Sequence, residues 1–294
     1  MANKKLEWQS KLILLAVLPF AGAHVVLEAH WWATQATPVA IWTLSLSALF
    51  GLVTWKVRAA TPWGSAAGAA ILASLMFSTT TFPYEPLHTS LAPVLALVVL
   101  TFLSTRLGRR QKEQLGIAEN RRGRSPAQVA ANLGMAAIVS SEFIQSWFVD
   151  SGIVRPTSST MLLFSLGLAA LAEAAADTVS SEMGQVFGGR PRMITTLRQV
   201  DPGTDGAISA AGTLLGVIAA AVVAAAGTAA LGGGRSIFAV SFAGGVFGLL
   251  FDSLLGATLQ QRGWLDNNAV NFLSTGSAAA FALVVLVFLP NPAG

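Results

Sequence analysis

Long apolar runs, separated by short polar segments, dominate the chain. Nine of them, over residues 12–29, 39–57, 65–82, 88–104, 127–148, 159–179, 207–230, 236–259 and 269–289, approach the roughly 20 apolar residues that a helix needs to cross a bilayer. The pattern predicts an all-α, polytopic bundle of about nine transmembrane helices. The first run carries Pro19 and Glu28, and the third is rich in Gly and Thr, so either also fits an interfacial or re-entrant segment. Lys4 and Lys5 ahead of an apolar stretch ending Ala21-Gly22-Ala23 match a signal-peptidase pattern as well. With the first helix cleaved or interfacial, eight crossings remain and keep their orientation.

Composition agrees with that pattern. Hydrophobic residues make up 53% of the 294 and charged residues only 11%, which excludes a disordered chain and an ordinary soluble domain. There is no cysteine, so disulfides, thiolate metal sites and a cysteine nucleophile are excluded. An amino terminus in the cytoplasm places 16 of the 18 Lys and Arg in cytoplasmic segments, leaving only Arg155 and Arg235 outside. Cytoplasmic loops characteristically carry such an excess, and a bacterial inner membrane is the expected location. Topology thus accounts for the net charge of +4 without nucleic acid as a partner. Three regions follow: N-terminal spans over 1–104, a basic cytoplasmic loop over 105–126, and a core over 127–294 with a cytoplasmic loop at 184–206.

Phosphate loops, nucleophile elbows and dinucleotide fingerprints are absent. His24, His30 and His88 all precede residue 90 and fit interfacial or packing roles. Seven cations between Arg106 and Arg124 read either as a topogenic anchor touching anionic lipid heads or as a phosphate-collecting rim. Chemistry is denser further on. Glu173, Asp177 and Ser181 lie four apart on one face of the sixth run, and carboxylates within a span are expected to face the bundle interior. In the eighth run Gly244, Gly248, Asp252, Gly256 and Gln260 repeat the spacing of four, a face of small residues carrying one carboxylate. Asp266 precedes the ninth run, as a helix N-cap or as a ligand, and Asn267, Asn271 and Thr275 share a face behind it. Between the sixth and seventh runs, Arg190, Arg192 and Arg198 suit multidentate phosphate binding, and Gly203-Thr204-Asp205-Gly206 opens a helix whose positive end suits an anion. The bland reading is an ordinary capped loop.

Ala176-Asp177-Thr178 with Ser181-Glu182, Thr195-Thr196 through Pro202-Gly203-Thr204-Asp205-Gly206, Asp252-Ser253-Leu254-Leu255-Gly256 and Asp266-Asn267-Asn268-Ala269-Val270-Asn271 together resemble the DUF92 family of integral membrane proteins. That family includes animal transmembrane protein 19 and phytyl-phosphate kinases. The resemblance implies transfer of a nucleotide γ-phosphate, with CTP the favoured donor, to an isoprenoid monophosphate, with membrane lipid as the other partner. Phosphoryl transfer chemistry then suggests Mg²⁺ on Asp177, Asp252 and Asp266, with Glu182 and Asn268 in reserve. Arg190, Arg192 and Arg198 would clamp phosphates, Asn267 and Asn271 would orient the nucleotide, and Ser181, Thr195, Thr196 and Thr204 would add phosphate contacts. A phosphate acceptor needs no general base. The competing reading is a transporter or flippase for an anionic lipid or metabolite, for which inverted repeats would be expected; none is evident.

Overall fold

The computed structural model of the chain describes residues 6–114, 116, 122–154 and 160–288. Among them run α1 (Glu7–Gln35), α2 (Thr37–Lys56), α3 (Pro62–Ser78), α4 (Leu91–Arg106), a short α5 (Arg109–Gln114), α6 (Pro126–Ser140), α7 (Glu142–Asp150), α8 (Thr160–Phe187), α9 (Ala210–Ala230), α10 (Arg235–Leu255) and α11 (Asn267–Phe288). A π-helical turn, Gly256–Gln260, extends α10. Strands β1 (Arg192–Met193) and β2 (Ala207–Ile208) pair antiparallel, Arg192 opposite Ile208.

Polar residues just ahead of the apolar runs set where helices begin, because each satisfies an otherwise unpaired N–H of the first turn. Thr61 accepts from the Gly64 N–H at 3.1 Å, Ser209 from Gly212 at 3.1 Å and Asp266 from Ala269 at 2.7 Å. Ser125 and Gln128 form a reciprocal capping box at the start of α6.

Helices occupy all nine apolar stretches, and this is an all-α integral membrane protein. By length and composition, six helices qualify alone as spans: α1, α2, α8, α9, α10 and α11. The α6–α7 pair, bent by 52° at Ser141, makes a seventh if it crosses as one. With 17 and 16 residues, α3 and α4 are about 24 to 26 Å long against an apolar thickness of roughly 30 Å. Ala21-Gly22-Ala23 lies inside the continuous helix α1.

At the centre stands α8, packed against α4, α6, α9, α10 and α11. Its buried residues include Ala169, Ala170, Ala172, Ala174, Ala175 and Ala176, and the neighbours approach it on glycine. A Cβ added at Gly212 or Gly216 of α9 would stand 2.6 Å from the Ser180 carbonyl or 2.7 Å from that of Ala176, and one at Gly245 of α10 2.8 Å from Ala172 Cβ. Small residues thus do inside the bundle what lipid-facing hydrophobics cannot. Leu15 and Leu27 on α1, Trp42 on α2 and Val284 on α11 point outward, as a lipid solvent allows.

Four connections meet at one end of the bundle. The Thr61 N–H donates to the Arg124 carbonyl at 3.0 Å, Arg106 to Val57 O at 2.7 Å and Gln261 to Asp205 O at 2.9 Å. Lys112 of α5 is ion-paired with Glu182 of α8. This end carries most of the described Lys and Arg; Lys4, Lys5, Arg121 and Arg155 of the charge count lie outside the described residues.

Candidate functional site

At that basic end a polar cavity of about 280 Å³ is enclosed by α6, α8, α10, α11 and the loop between α8 and α9. Asp177 and Asp252 line it from adjacent spanning helices, and their carboxyl groups meet across the α8–α10 contact. Glu173 lies one helical turn below Asp177, fully buried, beside both aspartates and the Ser274 hydroxyl. Glycine at 244, 245 and 248 lets α10 lie close enough to α8 to bring these carboxyls together.

The loop is held over the cavity by close backbone contact. Gly203 and Gly206 adopt φ of 84° and 74°, in the left-handed region that glycine tolerates. A Cβ added at Gly206 would collide with the Ala257 backbone, and one at Gly256 would stand 2.7 Å from Gly206 N. The turn is therefore seated on the π-helical end of α10, where it sets Thr204 and Asp205 at the cavity wall. Desolvation in this turn pushes the Asp205 carboxyl above its ordinary pKa.

Positive potential comes from two sources. Arg124 lines the cavity, donates to Thr178 Oγ1 at 3.2 Å and faces the charge of Asp177. The N-terminal ends of α6, α9 and α11 contribute Gln128, the capping Ser209 and Asn267 to the wall, so three positive helix ends border one space. Carboxylates and cationic groups thus share a small polar volume, an arrangement fit to hold a phosphate with a divalent cation.

Of the residues given metal, phosphate or nucleotide roles from the sequence, seven line this cavity: Asp177, Ser181, Glu182, Thr204, Asp252, Asn267 and Asn271. Glu182 reaches it already ion-paired with Lys112, whose ammonium also donates to Ser104 O at 2.8 Å. Asp266 is outside the lining. One of its carboxylate oxygens caps α11 and the other accepts from Ser10 of α1 at 2.8 Å. Asn268 donates to the same Ser10 hydroxyl at 2.8 Å, and Gln9 accepts from the Asp266 N–H and donates to Trp264 O, each at 2.8 Å. Arg190, Arg192, Thr195, Thr196 and Arg198 are exposed on the loop, and Arg192 donates to Leu197 O at 2.9 Å. The histidines also stand apart: His24 bonds Ser74 at 2.9 Å, and His88 pairs with Glu85 at 3.2 Å at the opposite end.

The cavity also recruits Arg124, Gln128, Asn132, Gln185 and Ser209. Gln128 and Asn132 lie four apart at the start of an otherwise apolar helix, the same signal that marks Asp177. Asn132 accepts from Asn271 at 3.4 Å and donates to Gln128 O at 2.8 Å.

The donor set suits Mg²⁺. Asp252 Oδ2 and Gln185 Oε1 are buried without a protein partner, hard oxygens of the kind that ion takes, and Mg²⁺ is commonly held by one or two carboxylates plus waters and substrate phosphate. Among the described residues no group of three or more His, Asp or Glu is arranged around a metal position, and of the three aspartates expected to share a metal only Asp177 and Asp252 line the cavity.

Several known proteins resemble part of the chain. An uncharacterized membrane protein of Synechocystis is 35% identical over 205 residues, covering 65% of this chain and 71% of its own. One from Methanocaldococcus jannaschii is 43% identical over 108 residues, 37% of this chain and 45% of its own. The chloroplastic protein VTE6 of Arabidopsis thaliana is 29% identical over 200 residues, 67% of this chain and 58% of its own. No solved structure matches the chain. The family model for the integral membrane protein DUF92 matches residues 45–279, a stretch that holds every described residue lining the cavity, and the chain belongs to that family.

Proposed function

We propose that this protein is a membrane-embedded phosphotransferase that converts an isoprenoid monophosphate to the diphosphate with a nucleoside triphosphate, CTP being the favoured donor. The observation that carries the reading is the facing pair Asp177 and Asp252, drawn from two spanning helices into a cavity that also holds Arg124 and three helix N-termini. Similarity to VTE6 and the family resemblance of the four motifs add to it.

In the reaction, a terminal oxygen of the acceptor phosphate attacks the γ-phosphorus. The bond from that phosphorus to the β,γ-bridging oxygen breaks, and the nucleoside diphosphate leaves with the electron pair. An acceptor oxygen that is already anionic gives up no proton, so a lining without histidine among the described residues suits this acceptor. Asp177 and Asp252 would hold Mg²⁺, which when bound neutralises charge on the transferring phosphates. Arg124 would fix the acceptor phosphate beside them, while Asn267, Asn271 and Thr204 orient the donor. On the exposed loop, Arg190, Arg192 and Arg198 would gather nucleotide from water.

Under this reading the basic end faces the cytoplasm of a bacterial inner membrane, where nucleotide is available. The test is purified protein incubated with Mg²⁺, labelled CTP, ATP or GTP and prenyl monophosphates of several lengths. Labelled prenyl diphosphate is the expected product. No transfer from any nucleotide, together with unaltered passage of a prenyl phosphate across proteoliposomes, would replace the enzyme by a carrier.

A further inference from the structure

A second, larger cavity of about 840 Å³ lies among α2, α3, α4 and α6 and is outside the acidic site. Its volume falls within the roughly 300–1,000 Å³ typical of ligand-holding pockets. Phe50, Gly68, Leu97, Val98, Val129 and Leu133 supply its apolar lining. Two of the threonines on its wall are engaged within their own helices, Thr54 donating to Phe50 O at 3.0 Å and Thr101 to Val98 O at 3.3 Å, while Thr105 lines it next to Arg106 at the basic end. The interior is therefore suited to hydrocarbon.

Its rim is the opposite in character. Arg58, Arg106, Arg109, Arg110 and Arg124 surround it at the basic end. Arg124 and Asn132 line this cavity and the acidic one alike, so they form a shared partition. A molecule with an anionic head and an apolar tail matches that division, head at the partition and tail among the helices.

We infer that the cavity among α2, α3, α4 and α6 is the tail site for the isoprenoid chain of the acceptor, whose phosphate is presented at Arg124 to the Asp177–Asp252 pair. This rests on the phosphotransferase reading for the identity of the head group. Seating the tail here leaves the polar cavity to the nucleotide, so the two substrates approach the reacting phosphates from different sides. A C5 acceptor would leave most of the apolar lining uncovered, so longer chains should bind more tightly.

The experiment uses the full chain in nanodiscs and a farnesyl monophosphate carrying a diazirine at the far end of its tail. Illumination should label Phe50, Leu97 or Val98, and unlabelled farnesyl monophosphate should protect. Val98→Phe should raise KM for farnesyl monophosphate about tenfold, leaving KM for dimethylallyl monophosphate and for nucleotide unchanged. Label on the outer faces of α9 or α10 overturns the tail site, as does equal protection by phosphatidylglycerol, which would make the cavity a phospholipid site. Because labelling is read on the parent protein, it stands even if Val98→Phe fails to fold. Label in the cavity without diphosphate formation would uphold the tail site and defeat the phosphotransferase reading; diphosphate formation with label elsewhere would do the reverse.

Discussion

Replacing Asp252 by Asn separates a carboxylate kept for chemistry from one kept for packing. The amide is nearly isosteric, and the carboxyl it replaces has one oxygen, Oδ2, buried without a partner. Its NH₂ can donate to the neighbouring Asp177 carboxyl, a hydrogen bond to a charged group being worth about 1.5–3 kcal/mol. The variant should therefore melt no lower than the parent. Activity should move the other way. Loss of one charged ligand from a preorganised phosphate site is expected to cost about 10²–10³ in rate, or roughly 2.7–4 kcal/mol of transition-state stabilisation. The assay pairs thermal unfolding in detergent with initial rates of phosphoryl transfer under saturating nucleotide. A variant that keeps more than a tenth of the parent rate would refute the reasoning. So would a large fall in Tm with activity lost only in proportion, which would make Asp252 a structural residue.

Three further substitutions probe the parts around the pair. Asp266→Asn should keep at least about a third of parent activity, because Asn caps helices nearly as well as Asp; activity as low as that of Asp252→Asn would return Asp266 to the reacting centre. Lys112→Met leaves Glu182 buried without its cation and should destabilise by about 3–5 kcal/mol, with much of the loss recovered in the double variant Lys112→Met/Glu182→Met; equal melting of the single variant and the parent in detergent would show the pair to be dispensable. Gly206→Ala combines a left-handed φ of 74° with a collision against Ala257 and should cost about 1–3 kcal/mol, seen as faster proteolysis within 188–209 and a raised KM for nucleotide; unchanged cleavage and kinetics would mean that the turn does not need its seat on α10.

Residues that share one helix were the legible part of this site. Glu173, Asp177 and Asp252 stand out because carboxylates in apolar runs must find one another or water, and the glycine spacing beside Asp252 marks the contact that brings α10 to α8. Spacing along the chain is silent about which loop reaches which helix. It could not assign Arg124, one of seven similar cations, to the Asp177 cavity, nor show that Ser10, more than 250 residues away, engages the carboxylate of Asp266. The arginines of the 184–206 loop carry the right chemistry in sequence, yet a short hairpin directs them to solvent. Gln128 and Asn132 obey the same rule as the aspartates, but neutral amides are less conspicuous in an apolar run. The number of crossings is blurred for a related reason: hydropathy marks apolar runs, while α3 and α4 are short and α6 bends into α7 at Ser141.

The junction of Gln9 and Ser10 with Trp264, Asp266 and Asn268 imposes an order on biogenesis. At about 5–20 residues per second, a ribosome needs roughly 13–50 s to travel from one half of this junction to the other. During that interval α1 cannot reach its final neighbours at the start of α11. It must wait in the bilayer with its polar turn unmatched, or be held by the insertion machinery. Helix α1 is thus made well before the partner that locks it, and closure of the junction registers that the start of α11 has arrived.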